Sequence, residues 1–367
     1  MLNLVTFVVT QFAMDITVLI ARYLGEKRPQ YIGQVIGGSI VVFALISAVL
    51  FVVLVGFARP ISVLMQAPEE ALGLTSGYVR ICGAGIFFIV AYNLLAAIFR
   101  GLGDSQSPLL FVLVACIVNV FGDLFLVAGL HLDAAGAAIA TLAAQAASVV
   151  CAVIMLLKKH LPFKLCKADF RLNPQCRKFL SIGLPLALQE FLTQLSFLAL
   201  CAFVNRLGLE ASSCYGVACK IVNFAMLIPS ALMQSMAAFV SQNIGAGSKK
   251  RARQSMFTGI GIGLAFGCAV FANAFAYLKG FAPETIATAV LFSMVGYFNG
   301  NNKTVWVMVQ GLVQTLLVRL PMAYFMSIQP NASLTMIGLA APTSTAVGIV
   351  LNICFYFYFE RTSRSDS

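Results

Sequence analysis

YVRICGAGIFFIVAYNLLAAIFRG, Tyr78 to Gly101, lies without a gap on YLKGFAPETIATAVLFSMVGYFNG, Tyr277 to Gly300, 199 residues further along the chain. Tyr78 meets Tyr277, Arg80 meets Lys279 and Gly101 meets Gly300. Two shorter matches flank this one. ARYLGEKRPQYIGQ (21–34) lies on SQNIGAGSKKRARQ (241–254), with Gly25 on Gly245 and Gln34 on Gln254 at an offset of 220. GAAIAT, Gly136 to Thr141, lies on GLAAPT, Gly338 to Thr343, at an offset of 202. Repeats at one long period in the same order describe two homologous halves. Because each half ancestrally holds an even number of spans, the repeat is parallel, about an axis along the membrane normal. The fall in offset from 220 to 199 makes the second half 21 residues shorter between its first two anchors. The first half holds FARPISVLMQAPEEALGLTSG there, so a very short outer connection is predicted at 276–284.

Composition sets the environment of this repeat. Hydrophobic residues make up 60% of the 367, charged residues 10%, and the mean hydropathy is +0.93. Soluble domains carry roughly 25% charged residues, so this chain cannot cover a surface in water. Its apolar stretches run near 2–22, 32–56, 76–99, 108–130, 134–157, 179–205, 215–240, 255–276, 283–299, 304–326 and 334–359. Each is close to the ~20 residues that cross a bilayer as helix, and unbroken runs rather than alternation exclude a barrel. The expected fold is an all-α polytopic membrane protein with two pseudo-symmetric helix bundles and about 11 transmembrane helices of an ancestral 12.

Charge placement orients it. With the loop after residue 22 in the cytoplasm, 18 of the 24 Lys and Arg fall on the cytoplasmic side, the positive-inside pattern. The net charge of +11 is therefore a property of membrane loops and implies no nucleic acid. The C-terminus is then cytoplasmic, and an odd span count puts Met1 outside, from which a missing amino-terminal helix is expected. The predicted organisation is an N-terminal bundle at 1–157, a basic cytoplasmic linker at 158–178, a C-terminal bundle at 179–360 and a tail at 361–367. The ten cysteines include no CxxC and mostly lie in apolar runs, where they act as small buried apolar residues. His131 and His160 are too few for a metal site.

RGLGDSQSPLLFVLVACIVNVFGDLFLV, followed by GAAIATLAAQ, resembles the fourth-to-sixth helix region of MATE (multidrug and toxic compound extrusion) transporters. GLPLALQEFLTQLSF resembles the start of their seventh helix, and SQNIGAGSKKRARQ and GYFNGNNKTVWVM resemble two later connections. The likeness is nearest to the bacterial DNA-damage-inducible (DinF-like) branch. It implies two bundles about a central cleft and export of organic cations or amphiphiles against protons or sodium. The first helix and part of the ninth-to-tenth helix region are the departures from the family's pattern.

Membrane carboxylates are the candidates for chemistry, since a charge at bilayer depth costs at least ~2.5–3.5 kcal/mol. Asp123 lies seven residues inside the end of its span, with Asn119 one turn earlier on the same helix face. Thr141 returns to the same depth on the next span. Carboxylate, amide oxygen and hydroxyl suit a small cation, and the alternative is a structural polar cluster between helices. The resemblance implies that Asn119, Asp123 and Thr141 form the cation or proton site of the first bundle. Glu190, five residues after Pro185, and Asp15, in FAMDITVL, are secondary candidates. Glu284 reads as interfacial, and Arg319 as pairing or snorkelling beside Pro321.

The resulting expectation is a monomeric, multi-pass antiporter in the bacterial cytoplasmic membrane, with no cofactor beyond coupling H+ or Na+. Its partners are the lipid bilayer and small amphiphilic or cationic substrates. Two alternatives stay open: a flippase of lipid-linked precursors, for which only Arg319 and Lys220 offer cationic groups, and an inactive truncated product. An enzyme is not expected, because HExxH, paired DDxxD and a Ser-His dyad at membrane depth are all absent.

Overall fold

Apolar stretches in lipid fold as helices because a helix satisfies its own N–H and C=O groups. The computed structural model describes residues 2–64, 69–159, 166–205, 216, 219–220, 222–274, 282–329 and 334–365. The chain divides into two units, Met1–Ser181 and Ile182–Ser367. Unit 1 holds α1 (Leu2–Gly25), α2 (Pro29–Gly56), α3 (Ala58–Leu64), α4 (Glu69–Ala84), α5 (Ile86–Gly101), α6 (Gln106–Asp123) and α7 (Asp133–Lys158). Then α8 (Pro174–Asn205) leads into unit 2, with α9 (Leu227–Gly245), α10 (Lys249–Ala274) and α11 (Ala282–Gly300). The last spans are α12 (Thr304–Leu312), α13 (Leu320–Ser327), α14 (Leu334–Gly338) and α15 (Ala340–Ser365).

Among the described residues, eight helices are long and apolar enough to cross a membrane, nine if one bent pair counts as a span. That pair, Thr75–Ala84 with Ile86–Gly101, bends by 50° and corrects the straight span expected at 76–99. The bend falls at Gly85, in a CGAG sequence whose glycines weaken a helix interior. Space fixes Gly85 as well, since a Cβ there would lie 2.0 Å from Cδ1 of Leu142. The predicted loop at 57–77 is also largely helical, as α3 and the start of α4. The expected short connection at 276–284 falls mostly on residues outside those described.

The repeat is visible atom by atom. A Cβ on Gly101 would lie 2.8 Å from Ile20 Cβ and 3.1 Å from the Thr17 carbonyl oxygen. A Cβ on Gly300 would lie 2.7 Å from Val240 Cβ and 2.8 Å from the Ala237 carbonyl oxygen. Ile20 and Val240, like Thr17 and Ala237, are 220 residues apart, so both sequence offsets meet in one pair of equivalent helix crossings. Four turns repeat too. Helices α1, α5, α9 and α11 each end with a residue in the left-handed region: Lys27 (φ 57°), Gly103 (φ 79°), Gly247 (φ 74°) and Asn302 (φ 59°). In each, the next amide donates to the carbonyl five residues back: Arg28 to Tyr23 (3.0 Å), Asp104 to Phe99 (2.9 Å), Ser248 to Asn243 (2.8 Å) and Lys303 to Phe298 (2.9 Å). This is the Schellman closure of a helix.

The end of the linker is seated on unit 1. Asn173 Nδ2 donates to the Gln34 carbonyl at 2.8 Å, and the Tyr23 hydroxyl donates to Gln175 Oε1 at 2.7 Å. Gly37 admits this segment, because a Cβ there would lie 2.5 Å from the main chain of Asp169.

Candidate functional site

Asp123 ends α6, and the following residues Leu124–Gly129 wind as a π turn before α7 begins. Such widened turns occur often at functional positions because they displace one residue from the helical register. Asn119 and Asp123 are both half-buried, and Asp123 Oδ1 is shielded from solvent with no hydrogen-bond partner. Tyr78 of α4 stands within electrostatic reach of Asp123.

Thr141 lines a cavity of about 250 Å³ inside unit 1. Thr6, Tyr78, Tyr92, Asn93 and Gln145 supply further polar groups to its wall. At about 30 Å³ per water, this is room for roughly eight waters or a hydrated cation. Asn93 is held in place: its Oδ1 accepts from the Thr10 hydroxyl at 2.7 Å, and its Nδ2 donates to the Ile89 carbonyl at 2.8 Å. Gln145 Oε1 is buried without a partner. The Thr141 hydroxyl donates to the Ala137 carbonyl at 2.9 Å, leaving its oxygen lone pairs toward other ligands. Asn119 and Asp123 do not line this cavity, and no hydrogen bond joins either of them to Thr141.

Asp15 lies at 0% exposure within α1, and neither carboxylate oxygen has a hydrogen-bond partner. A carboxyl so placed is stable only with a proton or a bound cation. Glu190 is half-buried on α8 in unit 2, where its Oε1 accepts from Gln194 Nε2 at 2.7 Å. The five predicted residues therefore divide four to one between the units.

Glu284 corrects its expected interfacial place: it is 4% exposed, and its Oε2 has no hydrogen-bond partner. The reason is that it opens α11 inside the bundle, within electrostatic reach of Arg319. Arg319 is 6% exposed at the end of a second π turn, Val313–Arg319. Its Nε donates to Ser344 Oγ at 3.2 Å, and its guanidinium lies 4.9 Å from the centre of the Phe197 ring. Sequence reasoning passed over Tyr78, Asn93 and Gln145. Their signal was present as single polar residues within apolar runs, VAYNLLAA and LAAQAAS.

Residues 1–125 and 185–279 match the family model described as MatE. The chain is 27% identical over 252 residues to "Probable multidrug resistance protein YoeA" of Bacillus subtilis (strain 168), covering 66% of this chain and 54% of that protein. It is 26% identical over 215 residues to the "FAD transporter" of Shewanella oneidensis, covering 57% and 48%. The chain thus spans about half the length of the curated relatives it matches. In fold it is similar to the "Outward-facing conformation of a multidrug resistance MATE family transporter of the MOP superfamily", with a TM-score of 0.90 at 18% identity over 98% of this chain and 85% of that one. The structure titled "Crystal structure of MATE in complex with Br-NRF" gives a TM-score of 0.83 at 18% identity, over 96% and 84%.

Proposed function

The chain belongs to the MatE family, and from that membership we propose that it exports organic cations or amphiphiles in exchange for H+ or Na+. Alternating access would carry the substrate across, with the ion taken up in unit 1. The observation that supports this most is the polar cavity bearing Thr141 and Asn93 in a bundle otherwise made of apolar helices. Near it stand two carboxyls with shielded, unpartnered oxygens, Asp15 and Asp123. A site that neutralises a carboxyl with an exchangeable cation stabilises the conformation that shields it. Coupling follows when substrate prefers the other conformation, since a ligand of equal affinity for both shifts nothing. Asn119, Asp123 and Thr141 are the proposed ion ligands, Asp15 a second carboxyl of the same unit, and Glu190 a substrate-side or ion-side group of unit 2.

The test is efflux of ethidium from cells expressing the chain, wild type against Asp123→Asn and Asp15→Asn, across pH and sodium concentration. Loss of ion-dependent efflux in Asp123→Asn is expected. Efflux with unchanged pH and sodium dependence in both variants would leave the two carboxyls structural.

A further inference from the structure

The internal repeat allows unit 2 to be searched for the counterpart of the unit 1 cavity. Gly85 and Leu142 line that cavity, and Val120 lies one turn before Asp123 on α6. At the offset of 199, Gly85 corresponds to Glu284 and Val120 to Arg319. Leu142 follows Thr141, whose partner is Thr343, so its counterpart is Ser344. The three counterparts form the buried cluster described above. Arg319 is held by Ser344 and stacked on Phe197, and Glu284 is within reach of its charge. Where unit 1 keeps open polar space, unit 2 keeps a carboxylate and a guanidinium.

We propose that Arg319 is a tethered cation occupying unit 2's counterpart of the ion site, with Glu284 as its counter-ion, so that exchangeable ion binding is confined to unit 1. Three observations carry this. Glu284 and Arg319 are both more than nine-tenths buried, and an ion at such a place is stable only against an opposite charge. Glu284 Oε2 lacks a hydrogen bond of its own, which leaves the guanidinium charge as its compensation. The Phe197 face and the Ser344 hydroxyl fix the guanidinium in orientation, as a planar fork is held and a mobile ion is not. The confinement to unit 1 rests on the reading given under Proposed function. The cation's place in unit 2 does not.

The experiment removes the tether and offers a free ion in its place. Thermal unfolding of detergent-solubilised protein is followed for Arg319→Ala and for Glu284→Gln/Arg319→Ala, both in an Asp123→Asn background. Choline chloride is compared with methylguanidinium chloride and sodium chloride. Arg319→Ala is expected to melt well below its parent in choline and to rise with either small cation, as a ligand binding only the folded state requires. The parent and the Glu284→Gln/Arg319→Ala variant are expected to show no such rise. An Arg319→Ala protein that gains nothing, or that responds no differently from Glu284→Gln/Arg319→Ala, overturns the proposal. If Arg319→Ala yields no folded protein, recovery of folded protein by adding Glu284→Gln supports it, and failure to recover overturns it. Because Asp123 is absent throughout, a failed efflux test at Asp123 leaves this result readable.

Discussion

At the equivalent place on α6 and on the α12–α13 span, unit 1 carries Val120 at 51% exposure and unit 2 carries Arg319 at 6%. The backbones around them are alike, and the difference lies in what covers them. In unit 2, α8 lays Phe197 over Arg319 and Gln189 against Gly311, whose Cβ would lie 2.5 Å from Gln189 Nε2. In unit 1, Val120, Leu124 and Phe125 form an open apolar face. Features that concern backbone geometry agree between the halves: the glycine crossings, the left-handed turns, and Phe99 and Phe298, both fully buried. Charges differ at the same positions. Asp104 and Lys303 occupy equivalent turn sites with opposite sign; Asp104 bonds Lys159, whereas Lys303 stands 4.8 Å over the Phe359 ring. A duplicated scaffold keeps the contacts whose failure would stop folding and frees the ones that set local electrostatics.

The comparison breaks most visibly at Val120. Val120→Arg places on an uncovered apolar face the guanidinium that unit 2 shelters, at a cost of about 3 kcal/mol by membrane-insertion scales. Folded yield and melting temperature should fall sharply relative to Val120→Leu. Equal behaviour of the two would mean that coverage does not decide where the charge can sit.

Next come the paired glycines. Gly101→Ala and Gly300→Ala should each lower stability by about 1–3 kcal/mol, the range for overpacking. Gly300 should be the worse, because its added Cβ meets both Val240 and a main-chain oxygen below 3 Å. Gly261→Ala, with nothing within 4 Å, is the control and should stabilise its helix slightly. Thermal unfolding in one detergent ranks all three.

Asp104 offers a smaller effect with a pH signature. Burial raises its carboxyl, but hydrogen bonds from Lys159 and Ser107 outweigh this and hold it at about 2, below the ordinary 3.8. It also caps α6, with its Oδ1 accepting from the amides of Gln106 and Ser107, both at 3.0 Å. A lowered carboxyl contributes stability above its unfolded-state value and loses it as pH falls through its folded value. Asp104→Asn should thus cost about 1 kcal/mol at pH 7. The gap from wild type should close between about pH 4 and pH 2.

The mildest test compares the two turns. Gly103→Ala should cost about 1 kcal/mol, because a Cβ is disfavoured at a φ of 79°. Asn302→Gly at φ 59° should be neutral or slightly stabilising, as asparagine and glycine both suit this cap. A larger loss for Asn302→Gly would mean that its side chain holds the turn in unit 2.

The helices and the repeat were legible because both rest on residue type alone: apolar length, and glycines where two helices cross or a turn is left-handed. The bend at Gly85 was less so, since Leu142, which excludes a Cβ there, is distant in sequence. The site was legible as an inventory of polar residues in apolar runs and not as an assembly. Asp15, Asp123 and Thr141 stand out from their runs, yet which of them face one cavity depends on helix rotation. The π turn after Asp123 alters that rotation without any proline or glycine break at its start. Glu284 was misplaced for a related reason: Pro283 beside it suggested a membrane edge, while its partner Arg319 lies on another span.

The four Schellman turns bear on how the protein is made. Each leaves only three or four residues between one helix and the next, from Gly25 to Pro29, Gly101 to Gln106, Gly245 to Lys249 and Gly300 to Thr304. Two helices so joined leave the ribosome as a hairpin, and the turn carries too little chain for one arm to settle in the bilayer while the other waits in water. Insertion should then proceed by pairs: α1 with α2, α5 with α6, α9 with α10, and α11 with α12. The unit of biogenesis in this chain is the hairpin, half the size of anything its folded units display.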